Sequence, residues 1–546
     1  MRSGVRHIGN HGKTLLISGV LLGATLLPVS YARGASQFIR GDIDQSGQVG
    51  LPDAVQTLRY LFLNGEPPQC LDAIDANDDG FLDISDAVYT LLFLFDQGNP
   101  PPDPFPHSGY DLTPDAWGCD GQQDFTRVFI LRQEHLNSGP YTITESGTPD
   151  EPLLYAMGEN GIAQGSGIII APGVHDIVLY GNGKTLEYGR GGLRHLHGVD
   201  GRFVYNIKVE GMHLENRIAR GTFKFGVIFN NYFGTIAIDR TTILTTSDDG
   251  DGIHLEGSTV PGNSQVIISN NEVTTYGSDA DAIYLSGHLA GVPATGEIID
   301  SNLVVTYGNS ADGLHVNGGE TVVGNSITTY GIEALGMDGG LGVVARDNTM
   351  TTYGSYSDVI DISSNNSIHN LRAKALGEHS NAVSIHGDIS TGNVISDSSL
   401  EGFLNDIAVY SSGGSLRLTS VSVDMDRVFY AEPSSFQVER SWYADTWVGD
   451  HNHNPMPNVL VEGYRLSDDH QLRAPLFFGY TGNDGRLTRQ ILLGSTDTAQ
   501  GGTYEAYQLS ASYQDGNPVT QEYRYGPKGN VAGNIEARFI LPVGAN

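Results

Sequence analysis

Two kinds of oxygen-rich pattern in this chain could do chemistry. The first is the loop Asp42-Ile-Asp44-Gln-Ser46-Gly47-Gln48-Val-Gly50-Leu-Pro-Asp53, which recurs 33 positions later as Asp75-Ala-Asn77-Asp-Asp79-Gly80-Phe81-Leu-Asp83-Ile-Ser-Asp86. Oxygen side chains at loop positions 1, 3, 5 and 12 suit a hard cation that takes about six to eight oxygens, and glycine at position 6 permits the sharp turn that gathers them. Position 7 supplies its backbone carbonyl, here that of Gln48 or Phe81. Asp83 adds an oxygen at position 9 of the second loop, where the first has Gly50 and would rely on water. Asp42, Asp44, Ser46, Gln48 and Asp53, and Asp75, Asn77, Asp79, Phe81, Asp83 and Asp86, are therefore the expected ligands of Ca²⁺.

The second pattern is a phrase that returns through the middle of the chain: Asp251-Gly-Ile253-His-Leu255, Asp281-Ala-Ile283-Tyr-Leu285, Asp312-Gly-Leu314-His-Val316, Glu333-Ala-Leu335-Gly-Met337, Asp358-Val-Ile360-Asp-Ile362 and Asn381-Ala-Val383-Ser-Ile385. Alternating aliphatic residues make each phrase a strand with its aliphatic side chains inside. Aligned on the phrase, one outward column reads His254, Tyr284, His315, Gly336, Asp361, Ser384, and the next reads Glu256, Ser286, Asn317, Asp338, Ser363, His386. Strands stacked ~4.8 Å apart would merge these columns into a polar patch wide enough for several sugar rings. Glu256, Asp281, Asp312, Asp338 and Asp361 are the expected acid, base or nucleophile for glycosidic chemistry. His254, Tyr284, His315 and Asn317 are the expected substrate-binding groups. Carboxyl groups ~5 Å apart suit a retaining glycosidase, and those nearer ~10 Å an inverting one. Asp251, Asp281 and Asp312 could equally serve the turns, by accepting backbone N–H groups.

These columns need a scaffold that repeats. Thr274-Thr275-Tyr276-Gly277, Val305-Thr306-Tyr307-Gly308, Thr328-Thr329-Tyr330-Gly331 and Thr351-Thr352-Tyr353-Gly354 provide its signature, the last two steps being 23 residues each. Three short strands per period cannot bury an inner face alone and must stack on copies of themselves. Over residues 165–430 the pattern resembles the right-handed parallel β-helix of the pectin-lyase-like fold. Asp251-Gly252 and Asp279-Ala-Asp281 loosely resemble acidic signatures of polygalacturonase-type glycoside hydrolases, whereas Asp312 stands where that family has histidine. Behind each oxygen-rich loop, Val55, Leu58, Leu61 and Phe62, and then Val88, Leu91, Leu92 and Phe95, fall at helical spacing and are expected to pack the two helices together. With Asp at position 12 and no helix entering either loop, residues 38–121 resemble a type I dockerin. That resemblance implies two bound Ca²⁺ and a cohesin-like partner domain. The C-terminal runs, with Asn483-Asp-Gly485 and Asp515-Gly516 turns between them, read as a small antiparallel sandwich.

The whole reading is mainly β. It comprises a signal peptide (1–33), a small α-helical dockerin-like calcium module (36–121), a right-handed parallel β-helix with an N-terminal cap (122–445) and a β-sandwich-like domain (446–546). Arg2, Arg6 and Lys13 before the apolar run Leu15 to Val29 and Ser30-Tyr31-Ala32 have the order of a secretory signal. The expected location is thus extracellular, with no membrane span in the mature chain. There the only two cysteines, Cys70 and Cys119, can pair. A net charge of −33 from 30 basic and 63 acidic residues argues against nucleic acid as a partner. The expected function is that of a secreted calcium-binding protein in polysaccharide binding or breakdown, as a glycoside hydrolase or polysaccharide lyase. The alternative is a non-catalytic structural or adhesive protein docked through its calcium module.

Overall fold

The computed structural model describes residues 37–541 apart from 64, 114–118, 120–126, 138, 150, 164–165, 190–196, 217–222, 258–263, 287–296, 432–433, 467–471, 513–517 and 525–534. The signal-like segment 1–33 lies outside the described residues. No helix among them is long and apolar enough to cross a membrane.

The middle of the chain is a parallel β-solenoid of about eleven turns. Each coil contributes one strand to each of three sheets, and strand pairs with the equivalent strand of the next coil in parallel. In the first sheet Ile253–Gly257, Ile283–Ser286, Leu314–Val316, Met337–Gly339, Ile360–Ile362 and Asn381–Ile385 pair in succession. The second includes Ser264–Ser269, Ile298–Asp300, Thr321–Val323 and Val344–Arg346. The third is a ten-stranded sheet. Val227–Asp239 bends from the first sheet into the second, pairing with Ile253–Gly257 and then with Ser264–Ser269.

Side-chain alternation puts Ile253, Leu255, Ile283, Leu285, Leu314, Val316, Met337, Ile360 and Ile362 in one continuous core, each at most 2% exposed. Leu335, expected inside, is instead half-buried. Leu314 pairs with Met337, so the fourth phrase sits two residues out of the expected alignment. The cause is the turn. Glu333 has φ +56°, as do its counterparts Asp279, Ser310, Tyr356 and His379 at +50° to +62°. It therefore occupies the left-handed bend before the strand, and Leu335 takes the place that Asp312 holds one coil earlier.

Buried polar ladders hold the coils in register. Asn271, Asn302 and Asn325 each donate their backbone N–H to the amide oxygen of the next asparagine, at 2.9–3.0 Å. Their side-chain nitrogens return to the carbonyls of Ile238, Ile268 and Ile299. These contacts satisfy backbone groups at the corner between second and third sheets, which burial would otherwise leave unpaired. At the next corner Thr245, Thr275, Thr306 and Thr329 donate their hydroxyls to the carbonyl five residues on. Tyr276, Tyr307, Tyr330 and Tyr353 stack outside at 4.6–4.9 Å between ring centroids, one ring per coil. The glycine after each tyrosine is obligatory: a Cβ at Gly308, Gly331 or Gly354 would lie 1.6–1.7 Å from the carbonyl oxygen of the preceding glycine in the column.

Before the solenoid, helices α1 (Leu51–Phe62) and α2 (Ile84–Phe95) pack together. The buried face is not the expected one. Ala54, Thr57, Ala87 and Thr90 are buried, while Val55, Phe62, Val88, Leu92 and Phe95 are 43–68% exposed. Cys70 and Cys119 are joined in a disulfide. The fully buried Arg40 ties the two loops together by donating to the Asp75 carbonyl and pairing with Asp78 and Asp111 at 3.0 and 2.8 Å. The Pro100 to Pro106 segment folds back, and the Pro104 carbonyl accepts the Arg40 N–H. Tyr110 and Gln37 reach into the solenoid and donate to the buried Glu210 at 2.6 and 2.7 Å, so the module is seated on the coils. At the other end, strand Gln437–Gly449 leaves the solenoid to pair with Gln490–Thr498 and Ile535–Ile540. Opposite it lies a four-stranded antiparallel sheet, and Val461, Leu509, Phe539 and their neighbours form a second core.

Replacing Asn325 by Ala orphans the buried Asn302 N–H and Ile299 carbonyl. It is expected to lower unfolding stability by about 1–3 kcal/mol per orphaned group. Exposed Thr349→Ala should stay within about 0.5 kcal/mol. Urea unfolding followed by circular dichroism measures both.

Candidate functional site

The outer face of the first sheet carries the expected side chains, with one correction that matters chemically. Because Met337 pairs with Leu314 and Ile360, Asp338 lies in register between His315 and Asp361. It does not belong to the column of Asn317, where Gly340 stands instead. The outward column therefore reads His254, Tyr284, His315, Asp338, Asp361, Ser384.

Its first half is an aromatic stack. Phe225, His254, Tyr284 and His315 follow one another at 4.6, 4.5 and 4.6 Å. The stack ends where carboxylates gather. Nδ1 of His315 is 3.4 Å from Asp338 Oδ2 and 4.0 Å from Asp281 Oδ2 and Asp312 Oδ2. Acceptor atoms of Asp281, Asp312 and His315 all lie within 4.8 Å of one another, which is the geometry of a cation-holding group. Asp361 comes next and faces His386 Nε2 at 3.4 Å. Asp281, Asp312 and Asp338 are thus gathered around His315, and Asp361 follows one coil beyond Asp338, beside His386. Glu256 is not among them. It lies toward the N-terminal end, 3.5 Å from Nε2 of His254, whose Nδ1 contacts Asp251 at 2.6 Å. Asn317 is exposed at the edge of the face.

The recurring aspartates do serve the turns. Asp251 accepts the N–H of Asp281, Asp281 that of Asp312, and Asp312 that of Leu335, at 2.7–2.8 Å. Each uses Oδ1 for this and leaves Oδ2 facing the column, so one carboxylate both fixes the coil and lines the patch. Asp358 plays the same part below, accepting from Asn381 and Ser384. The sequence signal for Asp358 was the phrase itself. His386, which follows the last phrase, stacks on Tyr410 at 4.7 Å, and Tyr410 had no phrase to announce it.

Crowding of like charges on a half-buried face favours the protonated forms. Burial, with repulsion from Asp251 and Asp312, pushes Asp281 well above the usual carboxylate range. Burial raises Asp251 in spite of His254. Asp312 is pushed up to about 7, by burial and then Asp338 and Asp251, against the N–H bond from Leu335. Asp361 is pushed up to about 8, by burial and then by Asp338, Asp358 and Asp312. At neutral pH Asp361 therefore keeps its proton, among neighbours that press for its retention.

No protein family matches the sequence, and no curated protein matches it. Among solved structures the chain is similar to the catalytic unit of a thermostable GH87 α-1,3-glucanase from Streptomyces thermodiastaticus, with 12% identity, a TM-score of 0.37, and 55% of this chain and 61% of that one covered. This chain therefore spans less than two thirds of that unit. It is also similar to the tailspike protein of E. coli bacteriophage HK620, at 10% identity and a TM-score of 0.27, covering 73% of this chain and 86% of the tailspike. The A-module of a mannuronan C-5 epimerase from Azotobacter vinelandii is similar at 11% identity and a TM-score of 0.26, covering 67% and 96%.

A carboxyl group whose folded pKa lies above its unfolded value of ~3.8–3.9 favours folding fully only below that value, and its contribution is lost as pH rises through the folded pKa. Asp361→Asn removes this loss. Relative to wild type, the variant is expected to gain melting temperature progressively between about pH 4 and pH 8 and no further above. Melting curves of both proteins across pH 4–9 would show a flat difference if Asp361 did not hold its proton.

Proposed function

We propose that this chain is a secreted, calcium-binding modular protein that acts on polysaccharide, its solenoid being a glycoside hydrolase. The feature that carries the reading is Asp361, one coil from Asp338 and two from Asp312, beside His386, with its carboxyl pushed up to about 8. General acid catalysis needs a proton held near working pH, next to a group that works ionised. In this reading Asp361 gives its proton to the glycosidic oxygen, and His386 at its side takes part in holding the leaving sugar. The partner carboxylate follows from spacing. Asp338, ~4.8 Å along the coil axis, suits direct attack on the anomeric carbon with retention. Asp312, at twice that, leaves room for a water and gives inversion. The ring edges of His254, Tyr284 and His315 extend the patch for further sugar units. A lyase would instead use Tyr284 for proton transfer, with a cation at Asp281, Asp312 and His315, or His315 itself with the cation held by the aspartates alone. The non-catalytic alternative draws on the N–H bonds that Asp251, Asp281 and Asp312 accept, since these alone would justify the carboxylates.

The N-terminal loops fit calcium. Oxygens of Asp42, Asp44 and Asp53 lie within 4.8 Å of one another. In the second loop Oδ1 of the fully buried Asp86 has no hydrogen-bond partner among the described residues, an arrangement that a cation would satisfy. Gly47 and Gly80 take the positive φ of +85° and +79° that the turn requires. Ca²⁺ would be held by Asp42, Asp44, Ser46, the Gln48 carbonyl and Asp53, and by Asp75, Asn77, Asp79, the Phe81 carbonyl, Asp83 and Asp86. The exposed apolar residues of both helices, Leu51, Val55 and Phe62 with Ile84, Val88, Leu92 and Phe95, form the duplicated surface on which a dockerin-like module would receive a cohesin-like domain.

On a panel of neutral and acidic glycans the wild type should release reducing ends, and Asp361→Asn and Asp338→Asn should each lose about 10²–10⁴-fold. The rate should fall as pH rises through about 8, where Asp361 loses its proton. An unsaturated uronate chromophore would instead identify a lyase, and no product from any glycan would leave the non-catalytic reading. Chelation by EDTA should lower the melting temperature, because a ligand at a hundred times its Kd stabilises by about 2.7 kcal/mol. Identical melts with Ca²⁺ and with EDTA would argue against metal in the loops.

A further inference from the structure

We infer that the C-terminal domain carries a separate, non-catalytic binding site for a saccharide unit bearing a carboxylate or sulfate. Strand Gln437–Gly449 points Tyr443, Asp445 and Trp447 outward while Ala444, Thr446 and Val448 are buried. Trp447 is paired on one side with Arg538 and on the other with Arg486. Side chains of directly paired residues share a face, so Arg486, Trp447 and Arg538 form one cross-strand row. This row lines a cavity of about 530 Å³ together with His453, Asp445, Glu536 and Ile540. The volume is that of an ordinary small-ligand pocket, and a single sugar unit fits it.

The indole is set as a platform. A Cβ at Gly449, two residues along the same face, would lie 2.1 Å from it, so the ring leans over Gly449 with one face against the strand and the other toward the cavity. Sugar rings present patches of C–H that pack on such a surface, and an indole offers the largest area of any side chain.

Charge selects the ligand class. Asp445 is already held by both arms of Arg489 at 2.8 Å, and Glu536 lies 3.9 Å from Arg538. The Arg486 guanidinium meets no carboxylate among the described residues. With Asp445 neutralised by Arg489 from outside the cavity, the lining leaves two arginines against Glu536, in a chain whose net charge is −33. Guanidinium forks bind carboxylate and sulfate oxygens in pairs, and the two on either side of Trp447 are placed to grip such a group while its ring lies on the indole. Asp445 and Glu536 remain as acceptors for sugar hydroxyls. Strand residues flanking the row, such as Ala444, Val448 and Phe539, belong to a core distinct from that of the solenoid, so the site would anchor an acidic polymer without taking part in the chemistry at Asp361.

Affinity electrophoresis of the full-length protein through gels containing polygalacturonate, dextran sulfate or dextran tests this. Retardation by either acidic polymer and not by dextran is expected, with Trp447→Ala and the double variant Arg486→Gln/Arg538→Gln each weakening it at least about tenfold. Asp338→Asn and Asp361→Asn should migrate as wild type, which separates this site from the solenoid face and lets it stand even if the glycosidase reading fails. Equal retardation by dextran, unchanged binding by the double arginine variant, or loss of binding in the two aspartate variants would overturn the proposal. The arginines are exposed, so the double variant decides should Trp447→Ala melt early.

Discussion

The structure depends on one interaction: the backbone hydrogen bonds that lock each coil onto the next at the spacing of paired strands. Everything else either enforces that register or exploits it. Inside, the asparagine ladder from Asn271 to Asn348 repeats the backbone pattern in side chains, so the corners as well as the strands are bonded coil to coil. Outside, Tyr276 to Tyr353 stack at the same pitch, and their glycines permit a backbone approach that no Cβ could share. A solenoid built this way has no compact nucleus of long-range contacts. Its stability accumulates from neighbour to neighbour.

That register also concentrates charge. Carboxylates at equivalent positions of consecutive coils cannot move apart, because the strands that bear them are bonded at fixed spacing. Asp251, Asp281 and Asp312 relieve part of the repulsion by accepting an N–H from the coil below, and the remainder appears as retained protons. Asp338 and Asp361 lack that backbone donor among the described residues and face outward, and at Asp361 the crowding again raises the proton affinity. The same lattice that makes an acidic column costly thus makes it chemically useful, since neighbouring acids of unequal environment end up with different proton affinities.

How much of this was legible follows from parity. Alternating aliphatics and the Tyr-Gly phrase were enough for a coiled parallel architecture, and they placed Ile253, Leu285 and Ile362 inside. They could not fix the fourth phrase. A slip of one residue exchanges inside and outside and is exposed at once by the hydrophobic pattern. A slip of two preserves parity, so Leu335 and Met337 fitted the aliphatic sites as well as Met337 and Gly339 do. Glu333 imitated the turn acid, although the chain uses it in the left-handed bend. The spacing of the tyrosines was the better guide: 23 residues separate Tyr307 from Tyr330 and likewise Leu314 from Met337. The helices failed for another reason. Apolar spacing identifies a face, but small residues such as Ala54 and Ala87 let two helices approach closely and leave the larger side chains outside.

Those exposed side chains bear on how the modules cooperate. An N-terminal module on a free tether would be independent of the solenoid, yet here Gln37 and Tyr110 donate to Glu210, which also meets Lys208 of its own strand and Arg240 of the next coil. Removing a partner from a buried carboxylate is costly, because its oxygens are left desolvated and unpaired. The seat is therefore a fixed one, made by Gln37 and Tyr110, while Val55, Phe62, Val88 and Phe95 stay exposed. With the module held against the coils and those apolar side chains uncovered, a partner bound to them would have a defined orientation toward the solenoid. The acidic column, the Arg486–Trp447–Arg538 row and the helix surface are in this way carried on one continuous, hydrogen-bonded body.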